Sequence, residues 1–389
     1  MIGVFSMHEK FNAEKLEKAL MYRGITVNQL AQKMECSRQT ISMYKNNKAK
    51  PTNIEFIQKL SKVLGFPVKF FLESGSKIDA GAVYFRSHLT TRPLYRAEQR
   101  QKMEFLASIY AFLKEYIEFP MLNIPDCSGL TPEESARILR KKWNLANEPI
   151  RNIIDLVESN GILVTTFATS TDAIDAFSEK IKIKDTGEDV FLIAYSSNKN
   201  SAARIHFDVA HELGHICMHS WEKQNYDLDP DEFRELEKEA HRFAIEFLMP
   251  QEAGIEDLKL TQLKIPEYTK LKRKWYVSIQ AMLMRAKNLD VITYEEYKSM
   301  IITLQKRGLR KEEPLDNELL TSEPLLLRTA VMMLLNEGIF TPSSFLKELS
   351  KDYLLTISPV EVEYLLNLPK GVLSKSEIME HPILKIKMS

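Results

Sequence analysis

Residues 207–219 read FDVAHELGHICMH, and the pentad His211-Glu-Leu-Gly-His215 inside them decides how the central part of the chain is read. Two histidines four residues apart lie on one helical face about a turn from each other, so both imidazoles can bind one Zn²⁺. Glu212 then stands beside the ion without bonding to it. The surrounding apolar residues predict one buried helix, and the layout is that of a metal hydrolase.

The third ligand is sought downstream. After a loop from Trp221 to Pro230, a helix is predicted from about Asp231 to Met249, stopped by Pro250. On it Glu235, Glu239, Phe243 and Glu246 are read as lying near one face, which leaves Glu235 and Glu239 open as ligands. His219 comes at the wrong spacing for the third histidine of a metzincin, and the Gly of that motif is missing.

The stretches RIHFDVAHELGHICMH and EKEAHRFAIEFLMP together resemble the ImmA/IrrE family of metallopeptidases. In that family the third ligand is read as the Glu directly before the Ala of an E-A-N-x-F-A block. The resemblance therefore names Glu239, with His241 standing where the family has Asn. It also covers DAFSEK near Asp175, LKRKWYVSIQAMLMRA from Leu271 and GLRKEEP near Gly308. It implies a zinc site of His211, His215 and Glu239 with a fourth position open for water, and Glu212 as general base. For the oxyanion, His219, Tyr226, His241, Arg204 and His206 are all within sequence reach, each more readily structural than catalytic.

Upstream, from Asn12 to Leu72, apolar residues recur at helical spacing in short blocks. Leu16, Leu20, Leu30, Ala31, Met34, Ile41, Tyr44, Ile54, Ile57, Leu60 and Leu64 are the expected core. Thr26 with Gln29 forms a capping-box signal, and Ser37 is a suitable N-cap for the next helix. Two short helices joined at Glu35 and Cys36 make a helix-turn-helix. The second presents Arg38, Gln39, Ser42 and Met43 outward, with Lys45, Asn46, Lys48 and Lys50 placed for phosphates.

The run SRQTISMYKNNKAKP resembles the recognition helix of the Cro-type repressor (XRE) family. That resemblance puts Arg38, Gln39 and Met43 at base-reading positions and Asn46 at a phosphate. Glu35 and Asn47 stand where the family usually has Gly.

Charge agrees with this division. Lys plus Arg and Asp plus Glu both number 53, yet residues 1–73 hold twelve bases against six acids, and residues 222–257 hold twelve acids against four bases. The first segment suits a polyanion and the second a basic surface. Three scattered cysteines make neither a disulfide framework nor a CxxC site. With no apolar run of spanning length and no signal peptide, a cytoplasmic protein without membrane contact is expected.

The expected fold class is mainly α with a small β-sheet (α+β). The expected divisions are a DNA-binding domain at 8–73, linker and long helix at 74–125, a zincin-like peptidase domain at 126–255, its helical extension at 256–315, and a helical accessory domain at 316–389. Glu73 to Ala82 reads as linker, and the helix from Ala97 to Ile117 as a spacer or homodimer interface. Thr131, Pro132 and Glu134 open a further helix. Strands at Ile162 to Phe167 and Val190 to Tyr195 are read as a pair against which the pentad helix packs. Zinc peptidases commonly hold substrate as an added strand on such a sheet.

The resemblances imply a zinc endopeptidase that cuts a repressor, often one with its own helix-turn-helix, in stress responses, prophages or mobile elements. A DNA-binding regulator with a sensory peptidase domain and a toxin-antitoxin component are the alternatives.

Overall fold

The computed structural model describes residues 11–75, 78–85, 93–167, 175–197, 201–221 and 229–374. The chain divides into two compact units: one of residues 1–20, 27–75 and 328–389, the other of residues 21–26 and 76–327.

The first unit contains the helix-turn-helix: α1 (Ala13–Tyr22), α2 (Val27–Met34), α3 (Arg38–Lys45) and α4 (Ile54–Leu64). Ten of the eleven expected core residues are buried, and Ile54 is half-buried. Ser37 caps α3 by accepting from the Thr40 amide at 3.0 Å. The two positions that depart from glycine, Glu35 and Asn47, both take left-handed backbone, with φ of 55° and 54°. Asn adopts this region readily, whereas Glu is strained there. Lys59 holds the exposed Glu35 carboxylate at 2.7 Å.

Residues near the C-terminus complete this unit. Glu73 is buried, pairs with Lys15 at 3.4 Å and bonds to Ser350 and Thr356; Lys15 also donates to the Leu354 carbonyl at 2.5 Å. The residue expected to open a linker is a buried polar hub. The helices at Pro342–Asp352 and Pro359–Leu365 therefore share a body with the helix-turn-helix.

The second unit is built on a four-stranded sheet of order β1-β3-β4-β2, with β1 (Ile78–Phe85), β2 (Leu163–Phe167), β3 (Ala176–Ile183) and β4 (Asp189–Ser196). The two expected strands are β2 and β4, which pair in parallel. The other two correct the reading. β1 occupies part of the expected linker and pairs antiparallel with β3, which lies against β4. β3 escaped notice because Ser178 and Glu179 interrupt its apolar alternation, yet both are fully buried.

Helices cover the sheet. The expected spacer is α5 (Pro93–Leu113), packed on β1 and β3, and every residue from Met103 to Leu113 is buried. A solvent-bridging helix would keep a polar face in water, so α5 is a core element. Opposite it lies α8 (Ala202–Met218), which carries the pentad, followed by α9 (Pro230–Leu248). The Thr131 capping box opens α6 (Pro132–Lys142) as expected. Buried Arg140 then donates to the carbonyls of Ala146, Glu148 and Phe247, tying α6 to the end of α9.

The expected helical extension shares one continuous hydrophobic core with the pentad helix, from Cys127 to Leu304. Cys36, Cys127 and Cys217 form no disulfide. Among the described residues no helix is long and apolar enough to cross a membrane.

A buried cation fixes the start of the pentad helix. Lys272, fully buried, contacts Glu313 at 2.9 Å and Asp316 at 2.6 Å, and Asp316 accepts from Ser201, which precedes α8, at 2.6 Å. Burial pushes the Asp316 carboxyl up, but hydrogen bonds from Lys272, Ser201 and the Glu313 amide outweigh it and hold it below the usual range.

Removing the cation strands two buried carboxylates, so Lys272→Ala is expected to cost about 3 kcal/mol, read as a lowered urea midpoint. A depressed acid stabilises the fold above its unfolded pKa and loses that contribution as pH falls through the folded one. The stability gap between wild type and Asp316→Asn is thus expected at pH 7 and should narrow as pH falls below the ordinary carboxylate range. A gap independent of pH would contradict the assignment. In the other unit, Glu35→Gly relieves left-handed strain and should raise the thermal midpoint by a few degrees.

Candidate metal centre

α8 and α9 approach closely because the pentad contains Gly214. A Cβ at this position would meet the Phe243 side chain at 3.0–3.3 Å. Across this contact α9 presents a stripe of Phe233, Glu237, Ala240, Ala244 and Phe247, spaced four, three, four and three residues apart. The apolar members are buried, and Glu237 is the polar member of the same stripe.

The Glu237 carboxylate lies 3.4 Å from His211 Nε2 through one oxygen and 3.2 Å from His215 Nε2 through the other. The two imidazole nitrogens are 3.1 Å apart. Among the described residues, His211, His215 and Glu237 form the group whose ligand atoms converge, all within 4.8 Å of one another. The fit to zinc is good. Bonds of about 2.05 Å arranged tetrahedrally give edges of about 3.3 Å, close to these separations, and two imidazoles with a carboxylate are a familiar catalytic donor set.

The third position therefore differs from the expected Glu239. Glu239 is more than a third exposed, and its carboxylate bonds His219 Nε2 at 3.2 Å. The misassignment is one of helical phase. Glu235 and Glu239 flank the stripe that faces α8, and Glu237 lies on it.

Glu239 nevertheless connects to the site. His215 Nδ1 and His219 Nδ1 are 2.8 Å apart. With His215 Nε2 left as a lone pair facing His211 and Glu237, its Nδ1–H donates to His219 Nδ1. His219 must then carry its proton on Nε2 and give it to Glu239. Burial is the main cause that lowers the pKa of His219, to about 3, which keeps the ring neutral as this chain requires.

Burial likewise drives the His211 pKa well down. Burial would raise the Glu237 carboxyl, but hydrogen bonds and charge interactions with His211 and His215 prevail and hold it well below the usual range.

Glu212 is fully buried, and its Oε2 accepts from Ser178 Oγ at 2.6 Å. Strand alternation puts Ser178 on the α8 face of β3 and Glu179 on the α5 face, where Arg100 approaches it at 3.7 Å. Ser178 enters the sequence reading only within DAFSEK, without a role.

Of the suggested oxyanion groups, His241 is at the centre: its ring packs on His211 at 4.5 Å, and its Nδ1 bonds the Glu237 carbonyl oxygen at 2.6 Å. Arg204 binds the Lys311 carbonyl, and buried His206 stacks on Tyr276. Tyr226 lies outside the described residues.

On α3 Arg38 and Gln39 are exposed and Ser42 and Met43 half-buried, and just after it Asn46 and Lys48 are exposed. Asn46 donates to Ser42 at 3.2 Å, and Lys45 pairs with Glu17 at 2.8 Å, so Lys45 is engaged within the domain.

Residues 157–287, which include α8, α9 and all three converging side chains, match the family described as IrrE N-terminal-like domain. Residues 16–71 match the helix-turn-helix family. Together the two matches correspond to the ImmA/IrrE plus XRE helix-turn-helix architecture. Comparison with curated proteins gives no match. The IrrE-like domain has a metallopeptidase fold, and the helix-turn-helix marks a DNA-binding regulator.

Zinc titrated into metal-free protein should bind one ion to wild type. Glu237→Ala is expected to abolish this binding in calorimetry, and Glu239→Ala to weaken it about ten- to hundred-fold as a loss of ligand orientation. The reverse ranking would contradict the arrangement.

Proposed function

We propose that this chain is a zinc-dependent endopeptidase that cuts a regulatory protein, with its helix-turn-helix directing it to the DNA where that protein acts. The observation that carries this reading is the convergence of His211, His215 and Glu237 beside a buried Glu212 fixed by Ser178.

Zinc held by the three side chains would act as a Lewis acid toward the scissile carbonyl and acidify an attacking water. Glu212 takes the proton from that water and passes it to the leaving amine. The Ser178 hydroxyl donates to one carboxylate oxygen and sets the carboxylate plane. His219 and Glu239 hold His215 in the tautomer that presents Nε2. His241, beside His211, is the side chain best placed to meet charge that develops on the carbonyl oxygen.

The twelve acids against four bases between residues 222 and 257 favour a basic substrate surface, as a DNA-binding repressor would offer. The exposed Arg38 and Gln39 at the start of α3 suit base edges in a major groove.

Purified protein with zinc should cleave a repressor encoded beside its gene, and Glu212→Gln should reduce turnover by at least about a hundred-fold while retaining zinc. Undiminished cleavage by this variant would sink the proposal. Ser178→Ala should lower kcat about ten-fold with KM unchanged, and Ser178→Thr should restore it. For the DNA arm, Arg38→Ala should weaken operator binding by about ten-fold or more in a salt titration, and equal affinity would contradict the assignment.

A further inference from the structure

The sheet position beside Glu212 is already taken. β3 supplies Ser178, which contacts Glu212, and one edge of β3 is paired with β4. Its other edge carries β1, antiparallel, with Tyr84 opposite Ser178 and Val83 opposite Glu179. A peptidase gains sequence-independent affinity for an extended peptide by main-chain pairing with a strand next to the catalytic groups. β3 contacts Glu212 through the Ser178 hydroxyl.

β1 is poorly built for permanence. Its sequence, IDAGAVYF, places Asp79, Ala80, Gly81 and Ala82 in succession, residues that strands disfavour. Its register with β3 shifts between Ala80 and Val83, an irregularity that interrupts the ladder. β3, β4 and β2 keep unbroken registers with one another.

We infer that the edge of β3 opposite β4 is the peptide-receiving edge of the site and that β1 is its resident occupant, which an extended, antiparallel segment of the substrate must displace. This inference rests on the peptidase reading. The resting chain is then closed by its own strand, and release of β1 opens the edge.

The test uses the zinc-loaded full chain and a proteome-derived peptide library, with cleavage read by mass spectrometry. Successive strand amides point to opposite sides, so Val83→Pro with Tyr84→Pro removes an amide facing β3 whichever way the ladder is phased. This double variant should speed hydrogen exchange across residues 176–183 and raise cleavage at least ten-fold. Conversely, Asp79→Cys with Lys182→Cys joins two directly paired positions. When oxidised it should cut at least ten-fold more slowly than wild type, and reductant should restore the rate.

Equal cleavage by wild type and the double variant, with exchange showing β1 released, would overturn the inference. Should the proline variant fail to fold, equal rates for the oxidised and reduced cysteine pair would do so. If wild type, proline variant and reduced pair all bind zinc but cut nothing, the peptidase reading falls, and this inference with it.

Discussion

The close packing of α8 on α9 is the constraint on which the site depends. Gly214 lets the Phe243 ring approach the pentad helix, and at that separation Glu237 reaches both His211 and His215. A Cβ at position 214 would meet the Phe243 side chain at 3.0–3.3 Å, so the ring or the helix would have to give by a few tenths of an ångström. That shift would act on three donors separated by 3.1–3.4 Å, close to the edges of one coordination tetrahedron.

The rest of the second unit holds this pair of helices in place. Arg140 gathers carbonyls at the end of α9, and Lys272 gathers carboxylates at the start of α8. The sheet contributes from the other side through Ser178, a single hydroxyl that links strand geometry to the Glu212 carboxylate. The chain of His215, His219 and Glu239 adds an orienting layer, in which proton positions follow from the direction of one lone pair.

Much of this was legible in the sequence, for reasons that differ by element. The helix-turn-helix core follows from helical spacing, and Glu35 and Asn47 were recognisable because backbone handedness constrains residue type there. The pentad placed two converging imidazoles and a buried carboxylate through fixed i, i+4 geometry. Glu237 was missed because three acids alternate at 235, 237 and 239, and only the apolar stripe from Phe233 to Phe247 sets which one faces inward. β1 and β3 were missed because their pairing is tertiary: a run with Asp, Ala and Gly reads as linker until a partner strand is known. Glu73 belongs to the same class, since its partners Ser350 and Thr356 are nearly three hundred residues away.

Anomalous diffraction at the zinc edge from crystals grown with zinc tests the central claim most directly. The account predicts one strong peak bonded to His211 Nε2, His215 Nε2 and a Glu237 oxygen, with Glu212 on Ser178 and Glu239 on His219. A peak bonded to Glu239 in place of Glu237, or none between α8 and α9, would contradict it.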